Sequence, residues 1–200
     1  MKKTITKTML TAAIMLLPSL ATATQWNIDP DHSNIGFSVS HLMVSHVKGN
    51  FNKFSGIVDI NDKDITKSKV DVTIDASSIN TNVQKRDDHL KSADFFDVAK
   101  YPALTFVSKK WAKAPKGLLK VTGDLTIHGV TKSVVLNIAP FSKESKDPWG
   151  GTRSGTSAST TINRKDFGLV WNQALETGGV AVGEEINISL EVELVKSQPK

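Results

Sequence analysis

The sequence predicts an all-β fold, in which an antiparallel sheet is rolled into a barrel or folded into a sandwich. Apolar and polar residues alternate with period two in one segment after another, which is typical of strands that bury one face. Parallel strands would be apolar on both faces and would need long helical crossovers, so the polar faces favour antiparallel pairing. The length of 200 residues, without a repeat or a linker, indicates one domain.

About eight or nine strands are predicted. The first places Phe37, Val39 and His41 on one face, and the last, over residues 186–194, alternates most regularly. A hairpin is expected around residues 128–129, because two alternating segments flank these turn residues closely. The other strands are predicted over residues 70–74, 119–127 and 130–138, and at about 48–60, 103–112 and 152–163.

Some segments depart from this alternation. Residues 82–92 contain helix formers and no β-branched run, so they predict one short helix, followed by a turn at 94–96 that docks two phenylalanines. Residues 141–151 and 172–184 are rich in Gly, Pro or polar residues, and we expect loops at the rim. The strand at 152–163 has no strongly apolar face. It either lines a mouth where water and a headgroup meet or forms an exposed edge strand.

The first segment has the composition of a secretory signal peptide. Three lysines precede an apolar run over residues 9–17, and Ala21-Thr22-Ala23 supplies a small-residue cleavage pattern. We expect cleavage after Ala23, a mature domain over residues 24–200 and a location in the bacterial periplasm. The apolar run is shorter than the ~20 residues of a membrane span. No later stretch is apolar for 18 residues, so no integral membrane segment is expected after cleavage.

Charge and cysteine content narrow the classes of function. The net charge is +5, and removing the three lysines of the predicted signal peptide leaves +2, which gives little reason to expect a nucleic-acid partner. The chain contains no cysteine, which excludes disulfides, thiolate zinc sites, a cysteine nucleophile and an acylated cysteine. No phosphate-binding GxxxxGK[ST] loop occurs.

A series of short motifs runs in order through residues 25–195. They include Asp31-His32-Ser33, Arg86-Asp87-Asp88-His89-Leu90, Ser92-Ala93-Asp94-Phe95-Phe96-Asp97, Gly123-Asp124-Leu125-Thr126, Pro148-Trp149-Gly150-Gly151 and Val182-Gly183-Glu184-Glu185. With these motifs in this order and spacing, the chain resembles the YceI-like family of periplasmic lipid-binding proteins.

The resemblance implies a single antiparallel eight-stranded barrel, similar to lipocalins, that holds a polyisoprenoid or an isoprenoid quinone. It implies a carrier and not an enzyme, with no cofactor and no metal, and with a membrane donor or acceptor that the sequence does not identify. From the strand faces and the long loops, we expect the ligand to contact the following residues: Phe37, Val39, His41, Phe54, Val72, Ile74, Phe106, Leu119, Val121, Leu136, Phe167, Trp171 and Leu190.

Three polar residues have two interpretations each. Arg86 and His89 are three positions apart on the predicted helix and share a face. They either contact the headgroup of a lipid at the mouth or tie the helix to the barrel rim. His41 either contacts the headgroup or is a core histidine that bonds to a backbone carbonyl.

Other functions stay open at this point. An eight-stranded barrel is also the size that side chains can fill completely, which would suit a stress or interaction protein without a lipid. A hydrolytic enzyme could use one of two candidate triads, Ser33-His32-Asp31 or Ser92-His89-Asp87. A metal enzyme could use the histidines at 32, 41, 46 and 89. No zinc motif or Gly-x-Ser-x-Gly motif is present. An edge strand could pair two copies into a homodimer.

Overall fold

The computed structural model describes residues 23–176 and 178–197. The predicted signal peptide lies outside these residues, except for Ala23. The strands are β1 (Ala23–Ile28), β2 (Asn34–His41), β3 (Ser45–Phe51), β4 (Phe54–Asn61), β5 (Lys69–Asp75), β6 (Ile79–Asn80), β7 (Ala103–Lys113), β8 (Leu119–Ile127), β9 (Val130–Ile138), β10 (Ser145–Lys146), β11 (Thr152–Asn163) and β12 (Val182–Lys196), with one α-helix, α1 (Gln84–Lys91). Within the described part of the chain, no helix is long and apolar enough to span a membrane.

The strands close into an antiparallel barrel with eight positions in its wall, which confirms the predicted fold. Along one of its sides, β12 pairs first with β2 and then with β1. In turn, β2 pairs with β3, and β1 pairs with β4. The wall continues through β5, β7, β8 and β9 to β11. It closes where β11 pairs with β12 from Arg153↔Val195 to Asn163↔Glu185.

The structure corrects the bounds of one predicted strand and excludes the edge interpretation of another. The single strand expected at 48–60 is the end of β3 and most of β4, separated by a turn at Asn52 and Lys53. The strand at 152–163 is not an edge strand, because it pairs with β12 along its length and with β9 at Ala158 and Ser159. The predicted helix and the β8–β9 hairpin are both present.

The barrel has two ends that differ in structure. The helix end carries α1, the β2–β3 turn, the β8–β9 turn and residues 164–176 and 178–181. The terminal end carries the start of β1, the end of β12 and the β7–β8 turn at Pro115–Gly117. Buried aliphatic and aromatic side chains from all the long strands meet between the two ends and form one core.

Candidate functional site

An apolar cavity of about 230 Å³ lies inside the barrel. Every strand position of the wall contributes to its lining, and α1 and the turn after it contribute Leu90, Phe95 and Phe96. The lining is apolar apart from two threonines of β11 and one arginine. A cavity of about 150 Å³ lined by Leu, Ile and Phe already stays dry and takes up benzene. The larger cavity here can therefore hold hydrocarbon without a polar partner.

Most of the predicted ligand-contact positions lie on the cavity wall. All but one come from β2, β4, β5, β7, β9 and β12, where side chains point inward because strand residues alternate between the two faces. Phe167 comes from the short helix Arg164–Phe167, which follows β11. These positions are Phe37, Val39, Phe54, Val72, Ile74, Phe106, Leu136, Phe167 and Leu190.

Leu119 and Val121 were expected on the cavity wall, and the structure places them elsewhere in the core. Both are buried, but neither lines the cavity. Val121 is paired with Trp111 on one side and Leu136 on the other, and these two larger side chains reach the cavity. Leu119 pairs with Ile138 at the terminal end of β8 and β9. Alternation therefore predicted the correct face of β8 for both residues, but not whether their side chains reach the cavity.

His41 and Trp171 also lie off the cavity wall. His41 is the last residue of β2 and is opposite Val182, where the pairing with β12 becomes irregular before Ile186. Val182 lines the cavity, but His41 does not. Trp171 packs against Phe95, with ring centroids 5.2 Å apart. Because Phe95 itself lines the cavity, Trp171 forms a second layer outside it.

Arg86 and His89 both form hydrogen bonds to neighbouring protein groups. Arg86 donates from Nε to Thr81 Oγ1 at 2.7 Å and from Nη2 to the Thr81 carbonyl at 2.9 Å. His89 Nε2 lies 2.9 Å from Asp94 Oδ2, and its ring packs edge-on against Trp171. Both residues stand at the helix end but do not line the cavity, so a headgroup role for them stays a prediction.

The inward face of β11 has small side chains. Thr156, Ala158 and Thr160 follow one another along the cavity wall, and only Ile162 is larger. The same strand lacked an apolar face in the sequence, which led to the expectation of a mouth or an edge. Because β11 is part of the closed wall, its small inward side chains leave space inside the barrel.

Arg164 is the one charged residue on the cavity wall within the described part of the chain. It follows β11 directly and is 3% exposed. Its guanidinium donates to three backbone carbonyls, those of Leu169, Val182 and Gly183. Burial lowers the pKa of the guanidinium from its usual value. The arrangement fastens the end of β11 to the start of β12.

A polar cluster lies at the other end of β11. Arg153 bonds to Asp29, Asp147 and Glu193, with Nε 2.7 Å from Asp147 Oδ2. Burial acts to raise the pKa of Asp29, but hydrogen bonds from Arg153 and His32 outweigh it and bring that pKa to about 2. Asp29, His32 and Glu193 are close enough to share a metal ion. The guanidinium of Arg153 already bonds to both carboxylates, which makes this a structural ion-pair network.

Sequence reasoning missed Trp111, which lines the cavity near the terminal end of β7. Phe106 and Trp111 differ by an odd number of positions, so period two places them on opposite faces. The pairing of β7 with β8 shifts register between Ser108 and Lys110, and such a bulge returns Trp111 to the inner face. No local sequence signal marks this bulge.

The comparisons with known proteins identify the family. The YceI-like domain family matches residues 26–194. The chain belongs to the YceI-like family. A UPF0312 protein of Vibrio cholerae is 44% identical over 171 residues, which cover 84% of this chain and 89% of that protein.

Two solved structures share the fold. The YceI protein of Campylobacter jejuni has a TM-score of 0.67 and 37% identity, and the match covers 80% of this chain and 90% of that one. A polyisoprenoid binding domain from Saccharophagus degradans has a TM-score of 0.63 and 17% identity, with 88% and 100% of the two chains covered. At that identity, the second match supports the fold alone.

Proposed function

We propose that this protein binds an isoprenoid lipid inside its barrel and carries it through the bacterial periplasm. The observation that carries the proposal is the apolar cavity of about 230 Å³. Burial of hydrocarbon contributes ~0.8 kcal/mol per CH₂ group, or roughly 3 kcal/mol for a five-carbon unit before the tail is ordered. A few such units suffice for tight binding, so affinity needs no strong headgroup contact.

A protein of the same fold motivates this ligand class. The Saccharophagus degradans domain, which shares the fold, is a polyisoprenoid binding domain. Long isoprenoid tails are nearly insoluble, and a protein exported by the predicted signal peptide would meet them between two membranes. The cavity counts against the alternative of a filled barrel, because its wall encloses free space.

Binding without catalysis fits the placement of the residues that a hydrolase would need. Ser33 Oγ lies 3.4 Å from the Glu193 carbonyl, and His32 bonds to Asp29 instead of Asp31. Ser92 Oγ donates to the backbone carbonyl of His89 and not to its imidazole. Neither candidate triad of the sequence is therefore assembled in the described part of the chain.

The direct test is to identify what the protein carries. The full-length chain is produced in a bacterium that makes isoprenoid lipids, purified from the periplasm without detergent, extracted with organic solvent and examined by mass spectrometry. We expect an isoprenoid lipid in about equal molar amount to the protein. The absence of a co-purified lipid, together with no binding of added ubiquinone or prenol, would reject the proposal.

Export is tested in the same preparation. We propose that the leader is removed after Ala23, so that the mature chain begins at Thr24. The cut leaves most of β1, because its pairs from Thr24↔Ile60 onward with β4 survive. N-terminal sequencing of the periplasmic protein should give Thr24 first. A full-length chain that stays with the cytoplasmic fraction would contradict the assignment.

A further inference from the structure

Three successive apolar side chains are exposed in the β2–β3 turn. They belong to Leu42, Met43 and Val44, and Met43 is 69% and Val44 83% exposed. Single exposed apolar residues are common, but adjoining ones of this size mark a surface that contacts another molecule. We call these three residues the apolar tip.

The backbone of the apolar tip is also unfavourable for the residues that it carries. Leu42 and Met43 both have positive φ, a left-handed conformation that Asn and Gly adopt with less strain. Residues held in such conformations are concentrated at functional sites. Two bulky apolar residues therefore stand where both the backbone and the surrounding water favour Asn or Gly, and a contact outside the chain explains this choice.

The apolar tip adjoins elements that line the cavity. The N–H of Leu42 donates to the carbonyl of Ala181 at 2.8 Å, and the next residue, Val182, lines the cavity. Further apolar residues are exposed at the same end of the barrel, with Val180 beside this hydrogen bond and Val83 directly before α1. The helix end thus offers apolar surface next to the lipid site.

The charge of the β2–β3 hairpin favours an anionic partner. Residues 32–58 include no Asp or Glu, whereas the hairpin carries Lys48, His41 and His46. The loop over residues 172–181 carries one carboxylate, that of Glu176. Apolar side chains flanked by cations suit an anionic bilayer, because the apolar groups enter the boundary between headgroups and acyl chains while the cations stay with the headgroups.

We propose that the apolar tip docks on the surface of an anionic phospholipid bilayer, so that the helix end faces the membrane when the lipid is exchanged. This inference rests on the proposed function and names the surface and the partner for that exchange. The terminal end offers less, because Trp149 is 84% exposed there but has Pro148 and Gly150 as its chain neighbours.

Sedimentation with lipid vesicles tests the docking surface. The mature protein is mixed with vesicles of phosphatidylethanolamine and phosphatidylglycerol, or of phosphatidylcholine alone. The test variant is Leu42→Asn, Met43→Gly, since these residues suit the turn and neither position lines the cavity. Trp149→Ser is the matched control, because it removes an exposed apolar side chain at the opposite end.

We expect the wild-type protein to bind the anionic vesicles and the double variant to bind them at least about tenfold more weakly. Trp149→Ser should bind like the wild-type protein. Lys48→Gln should weaken binding to the anionic vesicles about fivefold and leave binding to phosphatidylcholine unchanged.

A fluorescent label locates the contact directly. The chain contains no cysteine, so Met43→Cys and Trp149→Cys can each be labelled at one site with an environment-sensitive fluorophore. The emission of the label at position 43 should shift to the blue when anionic vesicles are added, and that of the label at position 149 should stay in place. The opposite result would assign docking to the terminal end and overturn the proposal.

Failure of the inference differs from failure of the proposed function, because binding of a prenol is also measured without vesicles. If the wild-type protein binds the prenol but not the vesicles, or if the double variant binds vesicles equally well, the docking inference is wrong and the carrier function stands. A dimer that the double variant loses would assign the apolar tip to self-association and also overturn the inference. If the tip binds vesicles but no prenol is taken up, docking stands and the carrier function is overturned.

Discussion

Two sides of the barrel wall fill the interior very differently. On β7 and β8, the inward residues Phe106, Trp111 and Leu125 are large and buried. On β11, the corresponding face carries Thr156 and Ala158, together with other small residues. Eight strands form a barrel that side chains can fill. The comparison therefore indicates that the space inside comes from the small residues of one strand and not from the size of the barrel.

The two sides are also held in place by different forces. The β7–β8 side packs by apolar contact, and the ring of Phe106 lies so close to Gly123 that a Cβ there would come within 2.4 Å of it. The β11 side offers little apolar area, and it is fastened at its ends by Arg153 and Arg164, which bond to carboxylates and to backbone carbonyls. A wall built this way can border an empty space without losing its position.

Truncation on the two sides should have unequal effects on stability. Phe106→Ala removes a buried ring and should lower the free energy of unfolding by about 3–5 kcal/mol. Thr160→Ala on β11 should cost about 1 kcal/mol, because it removes only a small, half-buried group. Urea unfolding followed by circular dichroism measures both. Equal losses for the two variants would mean that β11 contributes as much packing as β7.

Filling the cavity from the β11 side should abolish lipid binding without unfolding the barrel. In Ala158→Trp the new side chain points into the free space, so we expect binding of a prenol to fall by at least about 100-fold. The free energy of unfolding should change by only about 1 kcal/mol, since the cavity accepts the ring.

Ser159→Trp is the control for this substitution, because Ser159 is the next residue along β11 and is exposed. It should bind lipid like the wild-type protein. If Ala158→Trp retained normal affinity, the lipid would have to bind outside the cavity.

The polar anchor at the start of β11 predicts a pH dependence. The pKa of Asp29 is about 2 in the folded protein, against about 3.9 in an unfolded chain. Stabilisation by this carboxylate is therefore complete above pH ~4 and is lost as the pH falls towards 2. Arg153→Met should unfold at lower urea concentration at pH 7, by less than Phe106→Ala does, and the gap to the wild-type protein should narrow by pH 2. A gap that persists unchanged at pH 2 would contradict the ion-pair explanation.

The smallest effect is expected far from both walls, at the β2–β3 turn. Leu42 and Met43 have φ of 51° and 60°, a left-handed conformation that is unfavourable for bulky residues. The double variant Leu42→Asn, Met43→Gly supplies residues suited to this turn. It should raise the free energy of unfolding by about 1 kcal/mol in thermal or urea unfolding. A loss of stability would show that the side chain of Met43, which lies against Gly179, outweighs the backbone strain.

The sequence predicted the fold and the inward positions where strands are regular. Period two located Phe37, Val72 and Leu190 on the inner face, because one regular strand preserves its alternation from end to end. It could not locate Trp111, since the bulge between Ser108 and Lys110 depends on pairing with another strand.

Long-range pairing explains the other misses. β11 looked like an edge because its own residues are polar or small, and its place between β9 and β12 is a property of barrel closure. β1 was not predicted, since Trp26 and Ile28 are its only buried residues and two positions do not define a period. The position of Val121 in the core, away from the cavity, is likewise set by Trp111 and Leu136 on the neighbouring strands.

The central claim is that an isoprenoid chain occupies the interior of the barrel. A crystal structure of the protein with a brominated prenol tests it directly, because anomalous scattering locates the bromine atoms. We predict bromine peaks between Ala158 on one wall and Phe106 on the other, and none there in Ala158→Trp. Peaks confined to the outer surface of the barrel, with the cavity empty, would contradict the account.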